Sequence, residues 1–405
     1  MSVNCLHNAH SRPEDVVYTS TDNNPEKEAY SNQTEPGSMP ESTTESNFDA
    51  LAHNIYHSIN PADWSIQSKL GDWMPQEPRA PKKYSQDWPA YDKAKTSEDG
   101  LFKNILDELL AALPEAPCLS TGRKPYSLRD RLFCICIRAY YKSDLRKAES
   151  ILKESHKLGL IDKVPCYKSI DNFLNDPHLS DWLDRLILIS ALPLAQLEPV
   201  GAIDSTGFST RQYHRWTNFK YGRSGGRARL WRKAHAWSGC KTNIILSVKV
   251  TTCNVSDISV VEDLLGRKTT LFSMEEMVAD RAYSSRALMK FLDNLGLVPR
   301  IPFKKNVNGK SMGTRIWRRM FLDFQTNREE YMHKYHQRSN IEASFSMLKR
   351  RFGPHLLTKT FIANTNEIKA KVLCHNICVL IQELFESGIQ IDFPACVKTV
   401  LTAQI

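Results

Sequence analysis

No Cys-x2-Cys pair with zinc-ligand spacing occurs in this 405-residue chain, although it has ten cysteines. Cys134 and Cys136 lie in one apolar run, residues 132–137, and Cys374 and Cys378 in another, residues 372–381. They read as reduced core thiols of a cytosolic protein. Cys374, His375 and Cys378 could be drawn as metal ligands, but a buried helix face is the better reading. No stretch of about 18 uncharged apolar residues exists, which argues against a membrane span. The nearest, residues 182–195, is interrupted by Asp184 and Arg185. The first twenty residues are polar and lack the apolar centre of a secretory signal. Large apolar residues are scarce over 1–46, where Ser, Thr, Asn, Glu and Pro dominate, so a disordered tail is expected.

Acidic residues are unevenly supplied. Residues 1–60 hold nine acids against Arg12 and Lys27, a balance of −7; the net charge of +9 therefore leaves +16 on residues 61–405. A basic body of that size favours a polyanionic partner, most simply nucleic acid.

Periodicity divides the rest of the chain. Residues 61–100 read as an extended arm or linker with Asp-Trp pairs at 63–64, 72–73 and 87–88. Leu101, Phe102, Ile105, Leu106, Leu109, Leu110 and Leu113 share one helix face, and Ser127, three residues before Asp130, marks another helix start. Two short helices follow near 144–158 and 167–175. The segment 101–195 is expected to be all-helical and DNA-binding. From 196 to 390 the pattern changes. Pro199–Ile203 reads as a strand ending on Asp204, residues 232–238 and 243–251 as a hairpin, and Glu276–Ala279 as a strand ending on Asp280. Long helices are expected at roughly 329–352 and 365–388, then a C-terminal tail over 391–405. The fold class is α/β, a mixed sheet covered by helices, after an all-helical domain and an acidic tail.

The chemistry concentrates in a few residues. Tyr335, Arg338, Glu342 and Lys349 are offset by three, four and seven, which puts their side chains within roughly 60° of one another on a helix. Beside them runs a core stripe of Ile341, Phe345, Leu348 and Phe352. Alone, Arg338 and Glu342 could be an ordinary surface ion pair. Asp204 and Asp280 stand at equivalent places past two apolar strands. Two carboxylates so close would repel, and divalent cations would relieve the repulsion. With Glu342 they form a hard oxygen set suited to two Mg²⁺ or Mn²⁺ ions, which activate water or a 3′ hydroxyl for phosphodiester chemistry.

On these residues the chain resembles the DDE transposases of bacterial and archaeal insertion sequences, in the broad group of insertion-sequence families four and five. Their Tyr-x2-Arg-x3-Glu-x6-Lys signature is matched by Tyr335, Arg338, Glu342 and Lys349. Their first acid, in Asp-Ser/Thr, is matched by Asp204-Ser205-Thr206, and their second, in Asp-x-Gly/Ala-Tyr, by Asp280-Arg281-Ala282-Tyr283. The resemblance covers roughly residues 198–386. It implies an RNase H-like catalytic core with Asp204, Asp280 and Glu342 as catalytic metal ligands. It implies too that Tyr335, Arg338 and Lys349 grip phosphates near the element end. The expected partner is double-stranded DNA, namely terminal inverted repeats and target, bound by a homodimer because two ends must be paired. No membrane is expected, and a cytoplasmic, nucleoid-associated setting is. A transposase-derived DNA-binding protein and an RNase H-fold nuclease are the alternatives.

Two further basic stretches fit this partner. Residues 211–233 interleave Arg223, Arg227, Arg229, Arg232 and Lys233 with aromatics, a mixture suited to phosphate contacts and base stacking. Lys304 and Lys305 open a second stretch that runs to Arg319. Asp257 reads foremost as a cap on the following helix, and His235 as either a surface strand position or a residue facing the phosphate path.

Overall fold

In the computed structural model, residues 87–114, 124–210, 231–310 and 312–403 are described. The acidic tail, most of the 61–100 arm, and Arg223, Arg227 and Arg229 lie outside them. Of the two units into which the chain divides, Tyr84–Ile405 contains all of these residues.

The helical region runs through α1 (Trp88–Thr96), α2 (Glu98–Ala111), α3 (Leu128–Tyr140), α4 (Leu145–Lys157), α5 (Tyr167–Leu174) and α6 (Pro177–Ala191). Starts are written locally. Ser127 accepts a hydrogen bond from Asp130 N, Asp144 from Arg146 N and Lys147 N, and Asp176, followed by Pro177, from His178 N. Such caps satisfy amides that have no partner inside the helix.

The sheet follows: β1 (Val200–Ser209), β2 (Trp231–Gly239), β3 (Ile245–Thr252), then α7 (Val261–Leu265), β4 (Glu276–Ala279), α8 (Arg286–Asn294) and β5 (Val298–Arg300). The spatial order is β3-β2-β1-β4-β5. β2 pairs antiparallel with both β1 and β3, whereas β4 joins β1 in parallel and β5 joins β4 in parallel. The hairpin turn is anchored by buried Glu198, which accepts from Lys241 N, Thr242 N and Thr242 Oγ1 at 2.6–2.8 Å. Gly239 lies directly over that carboxylate: a Cβ there would stand 2.2 Å from Glu198 Cδ.

The remaining helices are α9 (Arg315–Thr326), α10 (Arg328–Tyr335), α11 (Ser339–Phe352), α12 (Phe361–Glu386) and α13 (Phe393–Thr402). The single helix expected over 329–352 is thus divided by a 3-10 turn at His336–Arg338. Residues 393–402, inside the expected C-terminal tail, form a helix with Phe393, Val397 and Val400 buried.

Buried α12 fastens the helical region to the sheet through polar residues that its apolar stripe does not reveal. Asn376 Oδ1 accepts from Ile245 N at 3.0 Å and its Nδ2 donates to Ile245 O at 2.7 Å, gripping the first residue of β3. The same amide reaches Ser190 Oγ on α6. Lys369 Nζ meets Asp184 Oδ2 at 2.6 Å, and Asn366 Nδ2 donates to Leu174 O and Asp176 O. Buried polar groups satisfied in this way contribute about 1 kcal/mol each and fix one relative placement of the helices. His375 and Cys374 serve packing as well: His375 Nε2 contacts Asn243 O at 2.9 Å, and Cys374 Sγ faces Cys136 O. No described helix is long and apolar enough to cross a membrane.

Candidate active site

The sheet register brings the two aspartates together. In the parallel β1–β4 ladder Ile203 lies opposite Ala279, so Asp204 and Asp280 leave neighbouring strands side by side. One expectation needs correcting: Asp204 does not end its strand. β1 continues to Ser209 because its other edge remains paired with β2, with Asp204 opposite Ala236. Asp204 marks the end of the parallel pairing only.

Each carboxylate fixes one oxygen on the next amide. Asp204 Oδ1 accepts from Ser205 N at 2.8 Å, and Asp280 Oδ1 from Arg281 N at 2.6 Å. Asp204 Oδ2 is left for Arg338, whose Nη1 stands 3.1 Å away. The other arm of that guanidinium donates to Glu342 Oε1 at 2.6 Å. Arg338 therefore bridges the first and third acids, reaching Asp204 across 134 residues of sequence. Arg338, expected to grip a phosphate, partners both acids in this state. The 3-10 turn makes this reach possible, because Arg338 precedes the first residue of α11 while Glu342 lies in its first turn.

The electrostatics follow from crowding. Burial pushes the Asp204 carboxyl above its ordinary range; the Ser205 amide and Arg338 oppose this, and the charges of Asp280 and Glu342 add to it. Burial draws Arg338 down, but Glu342, Tyr335 and Asp204 outweigh it and hold the guanidinium above its usual value. Tyr283 is buried beside the aspartates, and among the described residues its hydroxyl has no hydrogen-bond partner. Burial, then the charges of Asp257, Asp204 and Asp280, push its pKa up.

Asp257 belongs to this neighbourhood, and the expected cap is corrected: it makes no side-chain cap bond to the helix after it. It pairs instead with Lys233 Nζ at 2.6 Å and His235 Nδ1 at 3.1 Å. Burial raises its pKa, but Lys233 and the hydrogen bond from Ser205 outweigh that and leave it below the ordinary value. His235 is fully buried, with Nε2 2.9 Å from Thr251 Oγ1, so neither expected surface role holds. The available sequence signal was the spacing of Lys233 and His235, two apart on a strand and so on one face, where an acid must answer them. This network supports Ser205 directly beside Asp204.

The other expected DNA contacts divide. Lys349 is half-buried, with Nζ 5.5 Å from the Phe208 ring centroid; burial lowers its pKa, and its ammonium makes no ion pair or hydrogen bond among the described residues. Tyr335 is half-buried near Arg338. Lys304 and Lys305 are exposed in a turn ahead of α9. Lys233, engaged with Asp257, is turned inward. Arg232 donates to Asn364 Oδ1 at 3.0 Å and lies 4.8 Å over the Phe361 ring, an internal contact as well.

Among the described residues, no three carboxylate, histidine or cysteine side chains converge as a ready-made ion cage. The donor set nonetheless suits a hard divalent cation: all three acids offer carboxylate oxygens, and the charge around Asp204 is of the kind a cation relieves. Arg338 supplies positive charge there now.

A mixed sheet thus presents paired aspartates, answered by Arg338 and by a helix that carries Glu342 and Lys349. Residues 195–377 match the family model described as transposase DDE domain, and this part of the chain is such a domain. It contains Asp204, Asp280, Arg338, Glu342 and Lys349. No curated protein and no solved structure matches the chain.

Proposed function

We propose that the chain is an insertion-sequence transposase with an RNase H-like core. It binds the double-stranded ends of its element, cleaves a strand there, and joins the freed 3′ hydroxyl to target DNA, acting as a homodimer. The carrying observation is the parallel register that sets Asp204 beside Asp280, together with the Arg338 bridge from Asp204 to Glu342.

Asp204, Asp280 and Glu342 would hold two Mg²⁺ or Mn²⁺ ions. Bound there, such ions lower the pKa of water or of a 3′ hydroxyl and stabilise the leaving oxygen, so no separate general base is needed. The chain's own residues do the positioning. Ser205 N–H and Arg281 N–H each hold one carboxylate oxygen and thereby aim the other. Arg338, released from the acids, becomes a bidentate phosphate ligand. Lys349 lies about 10 Å along α11 from Glu342 and meets a second phosphate, with Tyr335 flanking Arg338. The test is strand cleavage of an end-bearing duplex in Mg²⁺. Asp280→Ala should abolish cleavage and leave DNA binding in place; cleavage at the wild-type rate by that variant would sink the assignment.

A further inference from the structure

Where α11 ends, the chain passes between α3 and α12 and leaves a cavity of about 170 Å³. Its lining includes Arg138, Lys142, His355, Glu367 and Lys371. Lys142 and His355 are exposed at the rim, whereas Arg138 and Lys371 are each only 3 % exposed. Three permanent cations thus face one carboxylate, and that carboxylate is already held by the chain. Glu367 accepts from Leu357 N through both oxygens and from Thr358 N, at 3.1–3.2 Å. Lys371 Nζ reaches it at 3.3 Å and also donates to Gly353 O and His355 O, Lys142 Nζ donates to Arg350 O, and Arg138 Nη1 stands 3.7 Å from Glu367. Arg138 Nε is buried and has no hydrogen-bond partner among the described residues. A buried guanidinium N–H without an acceptor is costly, and three cations against one carboxylate around a void is the arrangement an anion corrects. Burial, with Arg138 and Lys142 as like-charged neighbours, lowers the pKa of Lys371 despite Glu367.

We propose that this cavity binds a phosphate-class oxyanion, with the Arg138 and Lys371 side chains as its floor and Lys142 and His355 as its rim. The anion is either a backbone phosphate of bound DNA or a free phosphate. The geometry accommodates the first. Glu342 and Phe352 are separated by ten residues of α11, a rise of about 15 Å, which corresponds to about four base steps of duplex. Arg138 and Lys142 precede the matched domain, whereas His355, Glu367 and Lys371 lie inside it; phosphate binding is read without cleavage, so the two assignments fail separately.

The full chain, titrated with inorganic phosphate at constant ionic strength and followed by ³¹P line broadening, tests this. Saturable broadening is expected. Lys142→Gln, at the exposed rim, should weaken it roughly tenfold through loss of one charge-assisted bond. Lys290→Gln, on the surface of α8, should leave it unchanged. Arg138→Met should abolish it, and Lys142→Gln decides the matter if that variant does not fold. Saturating duplex DNA then separates the sources: lost broadening identifies a DNA phosphate, and persistent broadening a free oxyanion. Absence of saturable broadening, or wild-type affinity in Lys142→Gln, overturns the proposal.

Discussion

Arg338 offers the sharpest test of how this site is balanced. Arg338→Met keeps the aliphatic stem and removes the guanidinium. Asp204 then loses the cation at its Oδ2, while Asp280 and Glu342 still crowd it. The Asp204 and Arg338 side chains are 21 % and 19 % exposed, so this is a largely desolvated pair. A hydrogen bond to a charged group of that kind contributes about 1.5–3 kcal/mol. The second pair counts for less, because Glu342 is 55 % exposed and solvent screens it to a few tenths of a kcal/mol. The variant should therefore lose about 2–3 kcal/mol at neutral pH. For a body of this size that lowers the melting temperature by about 3–5 °C.

Magnesium should reverse the order. In the wild type the guanidinium competes with a cation for the same two acids; in Arg338→Met nothing does. If competition weakens ion binding tenfold, saturating Mg²⁺ stabilises the variant by about 1.4 kcal/mol more than the wild type, about 2 °C. Differential scanning calorimetry with EDTA and with Mg²⁺ measures both effects, and DNA binding should fall in the same variant because a phosphate ligand is gone. A melt within one degree of wild type in EDTA, or equal Mg²⁺ gains in the two proteins, refutes the bridge as a placeholder for the ion.

Other sites give independent tests. Lys349→Ala should weaken binding to end-bearing DNA and reduce the slope of log K against log salt by about one, as read by fluorescence anisotropy over a salt series. Gly239→Ala must displace Glu198, which three hydrogen bonds hold in place, and should cost about 1–3 kcal/mol in urea unfolding. His375 is drawn down to about 4, chiefly by burial, so the folded chain binds fewer protons there than the unfolded one between about pH 4 and 6.5. Stability is complete above about 6.5 and falls by up to about 3 kcal/mol toward pH 4, and His375→Gln should flatten that slope in pH-dependent unfolding.

What was legible in the sequence depended on range. Caps such as Ser127 and Asp144, the hairpin around Gly239, and the α12 stripe are local, and each element appears within a few residues of its expected place. The partners of charges are not local. Lys233 looked like part of a basic DNA-binding run because its neighbours in sequence are basic; its neighbour in space is Asp257. The extent of β1 was misjudged for the same reason. Asp204 interrupts an apolar run and reads as a strand end, yet the ladder to β2 carries the strand five residues further.

The division of the 329–352 helix shows why side-chain spacing brought Arg338 and Glu342 together and still missed the second partner of Arg338. Offsets of three, four and seven survive a single 3-10 turn, because the backbone stays right-handed through Tyr335, His336 and Arg338. Shared-face reasoning therefore remains sound for Arg338 and Glu342, which do touch. It says nothing of what lies opposite that face. Asp204, brought there by the sheet, supplies a second acceptor, and a guanidinium offered two carboxylates takes both when no phosphate competes. The bridge thus follows from the same charges that mark the site as one for a cation and a phosphate: with neither present, Arg338 provides the positive charge that the acids require.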